Sequence, residues 1–270
     1  MVGRTDTLHT GAMTAVTWWG HSFATVELPD ATVATDPLMA RRLFHLRRPS
    51  PPPGDRARRA DLVLVSHLHH DHLHVPTLRR FDDAVPIVVP RGAVRAVRSL
   101  ERLAVIEVVP GDDVTIAGVD VEVLPACHDG RRDKRPGAPV APALGFRFSQ
   151  GGTTCWHPGD TGPMDFSGID PVDLALVPIG GWGPSLGDGH LDPEQAADAV
   201  AAVGARWILP VHHGTYWPVV LRPSGPAHEH WFISPPQRFR EAVAARGLTA
   251  EVLTPPMGVR LPLERGTMPM

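Results

Sequence analysis

The sequence predicts an α/β protein made of two similar halves, each a β-sheet with helices, folded together without a linker between them. Two observations predict it. Strand-like and helix-like stretches follow one another in the order strands, helices, strands, helices. Two continuous apolar runs of strand length, at 61–66 and 174–179, have the composition of strands buried on both faces. The length agrees, since 270 residues at about 150 per domain suffice for one large domain or two small ones with a substantial core.

Taken in order, residues 14–18, 22–28 and 32–35 are rich in β-branched and aromatic side chains and are punctuated by Gly or Pro-Asp, so they are expected as hairpin-connected strands. Residues 40–60 carry seven arginines, one aspartate and a proline-rich run at 49–53, which predicts a long exposed loop. Strands at 87–89 and 105–109 should flank a helix over 92–102, where Val94, Val97 and Leu100 recur at helical spacing. Two hairpins follow, 114–116 with 119–124 and 144–149 with 153–156, turned at Ala117-Gly118 and at 150–152. Asp192-Pro193-Glu194 starts a helix that runs to about Val203, with Asp as N-cap and Pro in the first turn. A strand at 206–211, a helix at 235–246 and short strands near 251–253 and 259–261 close the chain. No internal repeat of fixed period is present.

With 43% hydrophobic and 20% charged residues, the chain is neither disordered nor fibrous. No apolar run approaches the roughly 18 residues of a membrane span. The first thirteen residues lack the apolar stretch of a secretory signal, so a cytoplasmic protein is expected. Cys127 and Cys155 are too few for a disulfide framework, lack the spacing of a cysteine zinc site and are expected as small buried hydrophobes. The net charge of −3 argues against a surface built to hold nucleic acid. Lys134 is the sole lysine, a bias that carries no functional weight alone. Histidine is the informative excess, with 15 residues of which several cluster with carboxylates, and that points to metal.

His67-Leu-His69-His70-Asp71-His72 follows the strand at 61–66. Where a strand ends, His67 and His69 point the same way because side chains alternate with period 2. Asp71 and His72 lie just beyond, where a turn can aim them at a second position about 3.5–4 Å from the first, the separation of two-metal sites. The bland alternative is a histidine-rich surface loop, and His70 and His74 are the spare members of the run. His128, Asp160 and His212 each sit just past a strand, so they converge on one sheet edge and complete two coordination spheres.

The run Ser66-His-Leu-His-His-Asp-His72 resembles the His-x-His-x-Asp-His signature of the metallo-β-lactamase-fold hydrolases, with His128, Asp160 and His212 in the order that superfamily uses. Trp19-Gly-His-Ser22, Thr35-Asp-Pro37, Pro125-Ala-Cys-His128, Gly159-Asp-Thr-Gly162 and His212-His-Gly-Thr-Tyr216 are similar to the branch containing N-acyl phosphatidylethanolamine phospholipase D and ascorbate-6-phosphate lactonase-like proteins. The resemblance covers roughly residues 14–263 and implies a single domain over that range, with tails at 1–13 and 264–270. It implies a four-layer αββα sandwich. It also implies that His67, His69 and His128 hold one metal, that Asp71, His72 and His212 hold the other, and that Asp160 bridges them. Asp71 and Asp160 are then the catalytic carboxylates.

Imidazole and carboxylate without thiolate suit two divalent ions, with zinc as the default, although manganese or iron would also be held. Ions that share Asp160 can bridge a water, lower its pKa towards neutrality and stabilise charge growing on a substrate oxygen. The expected reaction is hydrolysis of a small phosphodiester or phosphorylated ester, with a lactone or other carboxylic ester as the alternative. An RNA-processing nuclease is disfavoured by the charge, and a scaffold without turnover by the complete ligand set. Candidate contacts to a small, anionic substrate are Arg131 and Arg132, with Lys134 and Arg135 nearby, together with His21, Trp182 and Tyr216, and Trp217 as a further wall. The arginines of 41–59 have a third reading, contact with anionic lipid or polynucleotide. Nothing in the chain decides between a monomer and a homo-oligomer.

Overall fold

The computed structural model describes residues 14–181 and 187–264. Two seven-stranded sheets dominate it. The first runs in the order Arg260–Pro262, Ala15–Gly20, Phe23–Glu27, Thr32–Thr35, Leu62–Leu64, Ile87–Pro90 and Val105–Val108. Its first four strands pair antiparallel and its last four parallel. The second sheet repeats the scheme in chain order. Asp113–Ile116, Val119–Pro125, Leu144–Gln150 and Thr153–His157 are antiparallel, and the last of these then joins Val172–Pro178, Ala205–Val211 and Glu251–Val252 in parallel. The strand at Arg260–Pro262 returns to the first sheet and ties the halves together.

Alternation decides which side chains fill the centre. Leu62 and Leu64 of the first sheet and Leu174 and Leu176 of the second share one buried cluster with Val26, Val123, Phe146 and Phe148. Their neighbours Val63 and Val65 point outward with Leu68, Leu73 and Leu100, while Ala175 and Val177 meet the helices Pro193–Val203 and Pro235–Ala245. Both expected apolar runs are therefore strands covered on both faces, and the four-layer αββα arrangement follows. The helix at Pro193–Val203 starts as its sequence predicts. Asp192 Oδ1 accepts the Gln195 backbone N–H at 2.7 Å while the Gln195 side chain accepts the Asp192 N–H at 3.0 Å, a reciprocal cap that contributes about 1 kcal/mol.

Three expectations are corrected. The helix over 92–102 is instead one α-turn at Ala93–Ala96 and a 3₁₀ turn at Arg98–Arg102, broken at Val97. β-branched Val94 and Val97 and polar Ser99 give that stretch weak propensity, and Glu107 Oε1 fixes the first turn by accepting the N–H groups of Gly92 and Val94. The segment 40–60 is not a plain exposed loop. Arg42–Leu43 and Leu46–Arg47 form a hairpin, extended by Trp217–Pro218, because Leu43 and Leu46 pack on Leu38 and Tyr216. Cys155 is buried as expected but Cys127 is exposed, since it follows the outward-facing end of its strand. Residues 1–13 and 265–270, which hold the expected tails apart from Glu264, lie outside the described residues.

Candidate metal centre

Every expected metal-binding side chain is carried at or just past the end of a strand, and all of these ends meet at one edge of the sandwich. The chain leaves Leu62–Leu64 and turns tightly, with the N–H groups of His72 and Leu73 both donating to the His69 carbonyl. Leu68 and Leu73 are buried and act as anchors for this loop, so His67 and His72 are turned to the site. His128 follows Val119–Pro125, Asp160 follows Thr153–His157, and His212 follows Ala205–Val211.

Two adjacent groups result. His69 Nδ1 lies 2.9 Å from His67 Nε2 and 3.2 Å from His128 Nε2. Asp160 Oδ2 lies 3.2 Å from His72 Nε2 and 3.1 Å from His212 Nε2, and Asp71 Oδ2 lies 3.7 and 3.9 Å from the same two nitrogens. A tetrahedral ion with bonds of about 2.0–2.1 Å separates its ligand atoms by roughly 3.3 Å, so both groups have the spacing of a coordination shell. His72 and Asp160 also lie within 4.8 Å of His67, which makes the groups contiguous.

The unused ring nitrogens say which face each imidazole offers. Nδ1 of His128 is 2.6 Å from the Gly189 carbonyl, and Nδ1 of His212 is 2.6 Å from that of Gly180. Carbonyls only accept, so these nitrogens are protonated and Nε2 is the nitrogen turned to the site, the one a metal would take once any proton on it is released. Asp36 does the same for His72, accepting from Nδ1 at 2.8 Å. Asp36 also accepts from the Ser66 N–H and Oγ–H, both at 2.7 Å, and from His157 Nε2 at 3.0 Å. Ser66 Oγ, committed as a donor to Asp36, is left to accept from His67 Nδ1 at 2.9 Å. One buried carboxylate thus orients an imidazole in each group, the outer-shell arrangement that metal-ligating histidines need.

Three buried side-chain atoms of the cluster have no hydrogen-bond partner: His72 Nε2, His212 Nε2 and Asp160 Oδ1. Buried polar atoms are nearly always satisfied, so three orphans within one histidine and aspartate cluster have the chemistry of cation ligands. The electrostatics agree. Burial lowers the pKa of His212, but Asp160 outweighs it and lifts it to about 9. His72 behaves alike, raised well above the ordinary range against its burial by Asp160, Asp36 and Asp71. Without metal, protons sit where the carboxylates demand positive charge. Burial alone would raise Asp36 and Asp160, yet the neighbouring histidines hold both well below the usual carboxylate range. His128, removed from water, falls to about 4 and stays neutral.

The backbone is bent to reach this geometry. His21, Asp36 and His212 all adopt positive φ, at 55°, 39° and 59°, a region that side chains with a Cβ occupy at a cost of order 1 kcal/mol or more. Gly159 (φ 63°) needs its missing Cβ, which would stand 2.5 Å from Ser66 Cβ and 2.8 Å from the Leu144 carbonyl. Gly159→Ala is therefore expected to destabilise the fold by about 1–3 kcal/mol and to weaken metal retention by displacing Ser66. Thermal melting with and without added metal checks this, and an unchanged melting curve would contradict it.

His21, expected as a substrate contact, lies in the site with its Nε2 2.9 Å from Asp71 Oδ2. Tyr216 is buried edge-on to His21, and its hydroxyl donates to the Ala40 carbonyl at 2.5 Å. Arg132 turns inward onto the metal loop, its Nη1 donating to the carbonyls of Leu68 and, at 2.9 Å, Leu73. Arg131 is exposed beside Asp129, and Arg135 pairs with Asp133. Trp182 lies outside the described residues. His74 precedes the turn Val75–Leu78 with its Nδ1 2.8 Å from Thr77 Oγ1, and His70 rests against Phe44. Four residues escape a reading by sequence. Asp36, Ser66 and His157 act through other side chains and lack a ligand pattern, although Asp36 stands in the Thr-Asp-Pro run at a strand end. His190 approaches Asp160 Oδ2 at 3.5 Å from a Gly-Asp-Gly-His turn, and its distance in sequence from every other histidine hides it.

The β-lactamase superfamily domain family matches residues 31–213. A Mycobacterium tuberculosis protein described as uncharacterized is 31% identical over 75% of this chain, which spans only 59% of that protein's length. A metal-dependent hydrolase of Carboxydothermus hydrogenoformans is 30% identical, over 89% of this chain and 96% of its own. An N-acyl-phosphatidylethanolamine-hydrolyzing phospholipase D of Caenorhabditis elegans is 27% identical, over 89% and 73%. Among solved structures, the metallo hydrolase Igni18 of Ignicoccus hospitalis superposes with a TM-score of 0.68 at 22% identity, over 93% of this chain and 99% of that one. With the two-sheet sandwich and the strand-end histidines and aspartates already in place, these matches show that the chain belongs to the metal-dependent hydrolases of the metallo-β-lactamase superfamily.

Proposed function

We propose that His67, His69 and His128 hold one divalent ion and Asp71, His72 and His212 a second, with Asp160 shared between them, and that the chain hydrolyses a small phosphodiester or phosphorylated ester. The observation that carries this is the position of Asp160, within ligand spacing of His72 and His212, with its second oxygen buried and unpartnered. Two such ions supply a water ionised near neutral pH and Lewis acidity towards a substrate oxygen. The chain's own residues do the rest. Asp36, Gly180 and Gly189 hold imidazole protons away from the site, and His21 steadies Asp71. Nitrogen and oxygen donors favour zinc, with manganese or iron also accommodated. We read residues 14–263 as one catalytic domain working in the cytoplasm on a small molecule. Among the described residues no helix is long and apolar enough to cross a membrane.

The alternative substrate, a lactone or other carboxylic ester, is favoured by one feature. The pocket that opens beside Asp71 and His212 is walled by Leu43, Leu46, Trp217, Trp231 and Phe232 and, among the described residues, is lined by no lysine or arginine, and Arg132 is engaged on the metal loop. Bis(p-nitrophenyl) phosphate assayed beside a lactone panel separates the two. For either substrate, stripping metal with a chelator is expected to abolish turnover and lower the melting temperature, and zinc or manganese to restore both. Hydrolysis that survives metal removal would overturn the proposal.

A further inference from the structure

We propose that the rim of this pocket is a docking surface for an anionic lipid bilayer, whichever bond the site below it cleaves. Seven large hydrophobic residues stand exposed among the described residues, and four of them meet here: Phe44 (71% exposed), Val219 (43%), Val220 (81%) and Leu221 (48%). They come from two segments joined by backbone pairing, since Trp217–Pro218 pairs with Leu46–Arg47 and the Val219 N–H donates to the His45 carbonyl at 2.8 Å. Leu43 and Leu46 turn inward to Leu38 and Tyr216, which leaves Phe44, at φ 50°, projecting from the hairpin tip.

Charge selects the occupant. Residues 37–54 and 213–228 contain Arg41, Arg42, Arg47, Arg48 and Arg222 and no aspartate or glutamate, although the whole chain carries −3. All of these arginines except the buried Arg48 are exposed. A second copy seated symmetrically on the same face would set arginine against arginine, whereas an anionic headgroup layer receives the arginines and admits the apolar tips below them. The same segments wall the pocket that reaches Asp71 and His212, so a bilayer docked here faces the pocket mouth.

Co-sedimentation of the full chain with phosphatidylcholine vesicles, with and without phosphatidylglycerol, tests this at low and high salt. Partition onto the anionic vesicles is expected to be at least tenfold stronger than onto neutral ones and to fade as salt rises. The double variant Phe44→Ser with Val220→Ser should lose at least tenfold in partition while its melting temperature and its turnover of a soluble ester stay unchanged. Arg42→Gln with Arg47→Gln should remove most of the preference for the anionic lipid. Wild-type chain that ignores anionic vesicles at low salt, or a serine double variant that binds them equally well, would overturn the inference. So would gel filtration showing a dimer that the serine variant dissolves, which would assign the face to self-association. The vesicle partition, melting and gel-filtration results do not depend on turnover by the metal site, so they stand apart from failure of the proposed reaction.

Discussion

Asp160→Ala is expected to lower kcat/KM by roughly a thousandfold or more while leaving the fold in place. The carboxylate stands 3.2 and 3.1 Å from the Nε2 atoms of His72 and His212, and within ligand range of His128 and His190. It is the one carboxylate among the described residues that groups with histidines of both sets. On the proposed assignment, alanine removes a shared ligand and one of the negative charges that gather cations there. The loss of structure should be small, because Asp160 lies in a loop beyond a strand end and makes no hydrogen bond that supports the core. Asp165→Ala is the control: five positions on, it is exposed, and its carboxylate bonds locally to Ser167, whose N–H it accepts at 2.9 Å. It should stay within about twofold of the parent. Parallel measurement of turnover, metal content and circular dichroism checks the pair, and equal losses in both variants would show the assignment of Asp160 to be wrong.

Asp36→Asn probes the scaffold behind the ligands and should cost metal affinity by about 10–100-fold, with a matching fall in activity at limiting metal. The substitution is nearly isosteric, so the volume is kept and the charge removed. The amide can accept at its oxygen and must donate at its nitrogen, whereas Asp36 Oδ2 now receives three donors, from Ser66 Oγ, His72 Nδ1 and His157 Nε2. With its nitrogen in the Oδ2 position the amide faces all three donors, and with its oxygen there the NH2 is set against the Ser66 N–H, so in either orientation at least one of the four donors is turned away. If it is His72, the proton moves to Nε2 and the lone pair meant for the metal is lost. Ser66 Oγ, once free to rotate, releases His67 Nδ1 as well, so that both groups loosen through one change. Competition with a fluorescent chelator reads the affinity directly. Unchanged affinity in a variant that folds would show that the imidazoles are oriented without Asp36.

The sandwich and the ligand run were legible in the chain because each leaves a local mark. A strand covered on both faces is a continuous apolar run, as at Leu62–Leu64 and Val172–Pro178. The run from His67 to His72 packs its donors into one turn, where chance clustering is rare. The expected positions of His128, Asp160 and His212 after strands rested on the same local signal, and the geometry brings all three to the cluster. The rest depends on contacts between distant residues. Leu43 and Leu46 look like the sparse apolar members of an arginine-rich loop until Tyr216, far along the chain, packs on them. Arg132 has the position of a substrate clamp, but it bonds backbone carbonyls that no side-chain pattern reveals. Asp36 and His157 are 121 positions apart and meet only when the two sheets close.

Metal stoichiometry tests the central claim most directly. Protein purified without chelator, supplemented with zinc or manganese and then freed of unbound ions, is to be measured by elemental analysis against chain concentration. About two ions per chain is the expected result, because seven donor residues in two contiguous groups exceed what one tetrahedral ion uses, and the Asp160→Ala protein should retain fewer. One ion or none per chain after supplementation would contradict the dinuclear site.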